Sequence, residues 1–155
     1  PNTLQAGTLS VTSDSSGSLG TFLAIIPFGQ DIQIQSPPAP GSTFMLTGSH
    51  IASWSGGDPN SMVTVYLISH YETQMRASYC RARVSAGNCA LPSFSFPFVM
   101  GNQIYTYGSP SQEGELLYQV DPDPLAIPFS APGLSLGGQA TWRIQHSFQG
   151  FAIDY

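Results

Sequence analysis

The sequence predicts an all-β domain, an antiparallel β-sandwich or a jelly-roll or barrel-like relative of it, built from about 10–12 short strands. Three observations carry that prediction. Short runs of β-branched and aromatic residues recur with turn residues between them, roughly every 8–12 positions. No window shows a helical apolar period, paired caps, or richness in Ala, Leu, Glu and Lys. The 16 glycines and 13 prolines fall without a repeat, which removes collagen and solenoid architectures.

Residues 1–7 read as a linker and 8–155 as a single β-sandwich domain. Thr8–Thr12 alternates as a first strand, and Ser13–Gly20 is a loop rich in serine and glycine. Thr21–Phe28 is apolar on both faces and reads as a buried strand; Gly29-Gln30 turns into the alternating strand Asp31–Gln35. Ser36-Pro37-Pro38-Ala39-Pro40-Gly41 must be an extended connection, because proline cannot donate to a sheet ladder. Shorter strands follow at Thr43–Leu46 and His50–Trp54, and Ser55–Asn60 is the most turn-rich loop.

Met62–Ser69 is the strongest strand signal. Val63, Val65 and Leu67 point one way, while Thr64, Tyr66 and Ile68 point the other. Both sets are largely apolar, so this strand belongs inside a sheet, covered on each side. Gln74–Val84 and Leu91–Met100 read as the arms of a hairpin turning at Gly87-Asn88, with Pro92 and Pro97 pushing the second arm to a sheet edge. Gln103–Tyr107, Glu115–Val120 and Leu125–Phe129 are further strands, the last two divided by Asp121-Pro122-Asp123-Pro124. Ala140–Phe148 places Trp142, Ile144, His146 and Phe148 on one face, and Gly150 breaks it before Phe151–Tyr155.

A chain of 155 residues can bury about two-thirds of its unfolded surface as one domain. Only 8% of residues are charged, lysine is absent, and the four cations are Arg76, Arg81, Arg83 and Arg143. With 41% apolar residues a disordered chain is disfavoured. A net charge of −5 leaves no basic track for phosphates, so nucleic acid is not an expected partner. No apolar run is long enough to insert as a spanning helix. No basic stretch followed by an apolar one is visible at the amino end, so the chain reads as a processed product or an excised domain.

Few residues promise chemistry. Cys80 and Cys89 sit on two arms of one turn, where a disulfide and two separate thiols both fit the spacing. Trp54 adjoins a loop carrying Asp58 and Asn60, which is equipment for stacking on a sugar and bonding its hydroxyls; a core tryptophan is the alternative. Tyr105, Tyr107 and Tyr118 pose the same choice. Asp121 and Asp123, stiffened by prolines, offer hard oxygens to calcium, against a plain rigid turn. No other cofactor is expected. His70, Glu72 and a distant His146 match the loose outline of a two-histidine, one-carboxylate iron site, without a cation beyond His146 to grip a carboxylate substrate. No Gly-x-Ser-x-Gly elbow exists, and Glu113 and Glu115 read as solvated acids rather than a glycosidase pair. The expectation is a protein that is not an enzyme.

The Pro1-Asn2-Thr3 start, the all-strand pattern, the Pro37-Pro38-Ala39-Pro40 connection and the absent lysine together resemble the protruding domain of a small non-enveloped RNA virus capsid, of nodavirus, tombusvirus or Lake Sinai virus type. That resemblance implies a module on the virion surface that self-associates as a dimer or trimer and attaches to a host-cell receptor, glycans among the candidates. It also implies calcium at Asp121 and Asp123, since some nodavirus domains use such an Asp-x-Asp pair. Two alternatives stand beside it: a carbohydrate-binding, lectin-like module of a secreted or phage protein, and a jelly-roll metalloenzyme.

Overall fold

The computed structural model describes residues 6–13, 22–35, 37–45, 50–71, 74–92, 112–129 and 137–154. The strand expected at Gln103–Tyr107, most of Leu91–Met100, and Glu72, Tyr105 and Tyr107 lie outside the described residues.

The fold is all-β. The strands are β1 (Gly7–Ser13), β2 (Phe22–Phe28), β3 (Ile32–Gln35), β4 (Thr43–Met45), β5 (His50–Gly56), β6 (Met62–Tyr71), β7 (Gln74–Arg83), β8 (Asn88–Leu91), β9 (Gln112–Asp121), β10 (Ile127–Phe129), β11 (Gly138–Ala140) and β12 (Ile144–Asp154). A five-stranded sheet in the order β4-β12-β9-β6-β7 stacks on a three-stranded sheet in the order β3-β5-β8. Two small ribbons, β1-β2 and β10-β11, complete the described structure. Pairing is antiparallel throughout except for β4 and β12, which run parallel.

The core lies between the two larger sheets. Val63, Val65 and Leu67 of β6, Leu116, Tyr118 and Val120 of β9, and Ile144 and Phe151 of β12 face Ile32, Ala52, Trp54 and Leu91 from the smaller sheet. Full burial of each large aliphatic side chain contributes about 1.5–3 kcal/mol, so this seam holds the stack together. β6 is interior to its sheet as expected, paired on both edges with β9 and β7, but the cover expected on each side is complete only on the side of Val63, Val65 and Leu67. Its other face, with Tyr66 and Ile68, is half-buried.

Four sequence expectations are corrected. β1 begins at Gly7, inside the expected linker. Cys80 and Cys89 do not flank a hairpin turn at Gly87-Asn88. β7 ends at Arg83, a 3-10 turn spans Val84–Ala86, and Asn88 already belongs to β8. β7 pairs with β6 whereas β8 pairs with β5, so the segment is a corner where the chain changes sheets. Third, residues 141–143 are unpaired and β12 starts at Ile144, while 138–140 pairs with β10 as a separate short strand. Fourth, Gly150 does not end the last strand. At φ 77° it forms a bulge between Gln149 and Phe151, a conformation glycine adopts without a Cβ penalty, and pairing resumes beyond it.

Three links tie the two sheets together, two of them at this corner. The Cys80–Cys89 disulfide joins the two sheets with Cα atoms 5.9 Å apart. Trp54 Nε1 donates to the Val84 carbonyl at 2.9 Å. His146 Nε2 meets Asp31 Oδ1 at 2.8 Å, connecting β12 to the start of β3. Asp31 is only 3% exposed, and the same oxygen accepts the Ile32 amide at 2.7 Å. The buried carboxylate thereby has two hydrogen-bond partners.

Candidate recognition cleft

One end of the sandwich carries an open cleft of about 440 Å³. Five stretches far apart in sequence build it: Ala6 just before β1, the end of β2 with Gly29 and Gln30, the loop after β5, the Pro122–Pro124 turn with Ile127 beyond it, and Trp142 just before β12. Its walls are proline-rich, with Pro27, Pro59, Pro122 and Pro124, so the backbone there is held before any ligand arrives.

The floor is aromatic. Trp142 and Phe28 meet with centroids 5.1 Å apart and planes tilted by 52°. Trp142 lies so close over Gly29 that a Cβ there would stand 2.7 Å from its ring, and the Asp58 Cβ is 3.5 Å from the same point. A half-exposed indole and a carboxylate therefore share one wall.

Asp58 shapes its own loop. Its Oδ1 accepts the Asn60 amide at 3.1 Å, its Oδ2 accepts the Ser61 hydroxyl at 3.4 Å, and its carbonyl accepts the Ser61 amide at 3.0 Å. This side-chain-closed turn is the chemistry expected of Asp-Pro-Asn-Ser. Gly57 precedes it at φ 82°, packed so that a Cβ would come within 2.7 Å of Ile32 and 3.0 Å of Val84.

Arginines frame the rim. Arg83 donates to the Asn60 carbonyl at 3.1 Å and pairs with Asp123 at 2.9 Å, strapping the 58–61 loop to the 121–124 turn. Arg143 pairs with Asp121 at 2.8 Å and so fixes the segment that presents Trp142. Asp121 is 5% exposed and also accepts Gln119 Nε2 at 2.6 Å.

These contacts revise the site expectations. Trp54 is 3% exposed and belongs to the core, so it is not a stacking platform; the tryptophan that lines the cleft with Asp58 is Trp142. Asp58 lines the cleft, whereas Asn60 is exposed next to it without lining it. Asp121 and Asp123 do not converge on one point: each carboxylate takes a different guanidinium. Among the described residues no three His, Cys, Asp or Glu side chains gather as a metal site. His146, expected in an iron triad, is engaged by Asp31. Tyr118 is a core residue, edge-on to Phe148 at 6.2 Å.

Two titrations are displaced by burial, neither at the cleft. Desolvation lowers His50, at the other end of β5, below the usual histidine value. It pushes the Tyr118 hydroxyl up to about 12. The described cleft lining contains no Ser, Cys, His or Tyr. What it offers is a flat apolar ring and carboxylate acceptors, one of them, Asp123, paired with the Arg83 guanidinium.

Parity is the signal that separates the two tryptophans. Ala52 and Trp54 alternate inward with Ser53 and Ser55 outward, whereas Trp142 stands outside any ladder. Comparison of the chain with family models, curated proteins and solved structures finds no match.

Proposed function

We propose that this chain is an outward-facing recognition module of the capsid protruding-domain kind, displayed on a virion surface and attaching to a host receptor through the Trp142 cleft, with a neutral glycan as the ligand class. The observation that carries the reading is Trp142 laid over Gly29 beside Asp58. An indole face stacks on the apolar side of a sugar ring while Asp58 accepts its hydroxyls, and the Arg83–Asp123 pair supplies a donor and an acceptor at the rim. Proline walls reduce the ordering entropy lost on binding.

Glycan-array screening followed by calorimetry tests it. Trp142→Ala should weaken binding by tenfold or more, on the order of the 1.4 kcal/mol that one decade represents. Gly29→Ala, which displaces the ring without touching the polar rim, should do the same. A wild-type domain that binds no glycan, or one indifferent to both changes, would overturn the reading. Assembly of the longer parent chain into particles separates a capsid module from a lectin-like module of a secreted or phage protein; failure to assemble favours the latter.

A further inference from the structure

We infer that the outer face of the five-stranded sheet is a docking surface for a second copy of this chain. Ladder register places three rows of side chains on that face. They are Arg81, Thr64, Gln119 and Gln145; then Tyr79, Tyr66, Leu117 and Ser147; then Ala77, Ile68, Glu115 and Gln149. Tyr79 is 64% exposed and Met75, further along β7, is 67% exposed. Tyr66 and Tyr79 lie 6.0 Å apart between ring centroids and form the centre of an aromatic and aliphatic patch with Ile68 and Leu117.

Charge decides the occupant. Arg81 and Glu115 are the only charged residues in these rows, placed one row to either side of Tyr66 and one strand to either side of β6. Arg81 is exposed and has no ion-pair partner among the described residues, while Glu115 is held in place by the Ser147 hydroxyl at 2.7 Å. A two-fold axis in the interface plane, set diagonally to the strands, brings Arg81 of each copy onto Glu115 of the other and leaves Tyr66 at the axis. With rows about 6.8 Å and strands about 4.8 Å apart, the two sheets then cross at roughly 70°, close to the orthogonal mode of sheet packing. These three central rows are self-complementary in charge, which a partner of unrelated chemistry would not require; in the flanking row Arg83 and Asp121 are each already paired within the chain. The β1-β2 ribbon also exposes Leu9, Val11, Leu23 and Ile25, but it carries no charge that selects an occupant.

Sedimentation velocity of the whole chain from about 1 to 100 μM, the range that standard-size interfaces span at their weak end, reads the outcome. Wild type should dimerise. Arg81→Glu and Glu115→Arg alone should each weaken the dimer about tenfold or more by setting like charges together. The double exchange Arg81→Glu with Glu115→Arg should restore it. Circular dichroism melts confirm that each variant folds. A monomeric wild type at the top concentration, or a folded double exchange that stays as weak as the single variants, would overturn the inference. Neither result touches the Trp142 cleft, so the receptor reading stands or falls separately.

Discussion

Removing the Cys80–Cys89 bridge probes how the two sheets are held. The cysteines are separated by 9 positions and join strands that hydrogen-bond to different sheets. Closing a loop of that length takes roughly 2.5 kcal/mol of entropy from the unfolded chain at 25 °C. For a domain of this size 1 kcal/mol moves the melting temperature by about 2–4 °C, so reduction should lower it by about 5–10 °C. Reduction is a cleaner perturbation than replacement, because both sulfurs are buried and remain in the core as thiols. The assay is calorimetry with and without a phosphine reductant, with thiol titration on the denatured sample to prove that the bond opened. The remaining cross-links, Trp54 to Val84 and His146 to Asp31, keep the stack assembled, so the reduced form should still melt cooperatively. A fully reduced protein melting within about 2 °C of the oxidised one, below what the loop entropy demands, would refute the view that this bridge constrains the corner.

Four further perturbations test other parts of the structure. Tyr118, raised to about 12 by burial, stays neutral in the fold while the unfolded chain ionises near 10. Stability should therefore be complete below pH 10 and fall by roughly 3 kcal/mol as pH rises toward 12. Tyr118→Phe should flatten that limb of a pH-dependent denaturation series, and an unchanged slope would contradict the burial. The Ser78 hydroxyl is buried with no bonding partner among the described residues, so Ser78→Ala should raise the melting temperature by about 3 °C, and a fall would mean the hydroxyl is satisfied. Gly57→Ala should destabilise by roughly 2–4 kcal/mol in a denaturant titration, from left-handed strain and the collision with Ile32 and Val84; a neutral result would mean the turn can relax. Millimolar calcium should leave the melting temperature unchanged, because Asp121 and Asp123 are each taken by an arginine. A calcium-dependent rise abolished in Asp121→Ala would show that cation binding displaces them.

Strand positions were legible because alternation and turn residues are local. Val63, Val65 and Leu67 announce a buried face in sequence, and they form one. Asp-Pro-Asn-Ser announces a turn, and its carboxylate closes one. Partnership between strands was not legible. The stretch from Cys80 to Cys89 has the length and the Gly-Asn pair of a hairpin, yet the Val84 amide is captured by the Ser61 carbonyl at 2.8 Å and the Gly87 carbonyl by the Trp54 amide at 2.9 Å. Those long-range bonds turn the chain onto the other sheet. The same blindness hid the cleft, whose lining comes from five separate stretches and so leaves no motif at any one of them.

The arginines show why the cleft is more than a gap between loops. The chain has four cations in all, and Arg83 and Arg143 both stand at this one end of the sandwich. Both guanidinium side chains are more than half exposed, at 55% and 51%. Asp121 is buried and its charge needs the Arg143 counter-ion, but the Arg83–Asp123 pair is exposed on both sides and contributes about 0–1 kcal/mol, so stability alone is a weak reason for placing Arg83 there. Position is the stronger one. Arg83 spans two loops that no strand connects, and Arg143 anchors the residue next to Trp142 to the buried end of β9. Replacing Arg143 by methionine keeps most of the apolar stem but leaves the buried Asp121 carboxylate without its counter-ion, so stability and the ring should both respond. Trp142 fluorescence should shift toward that of a solvated indole, and the melting temperature should fall by more than the roughly 2–4 °C that 1 kcal/mol represents at this size. If the emission stays put, Trp142 is held by Phe28 and Gly29 alone, and the ion pair has no part in presenting it.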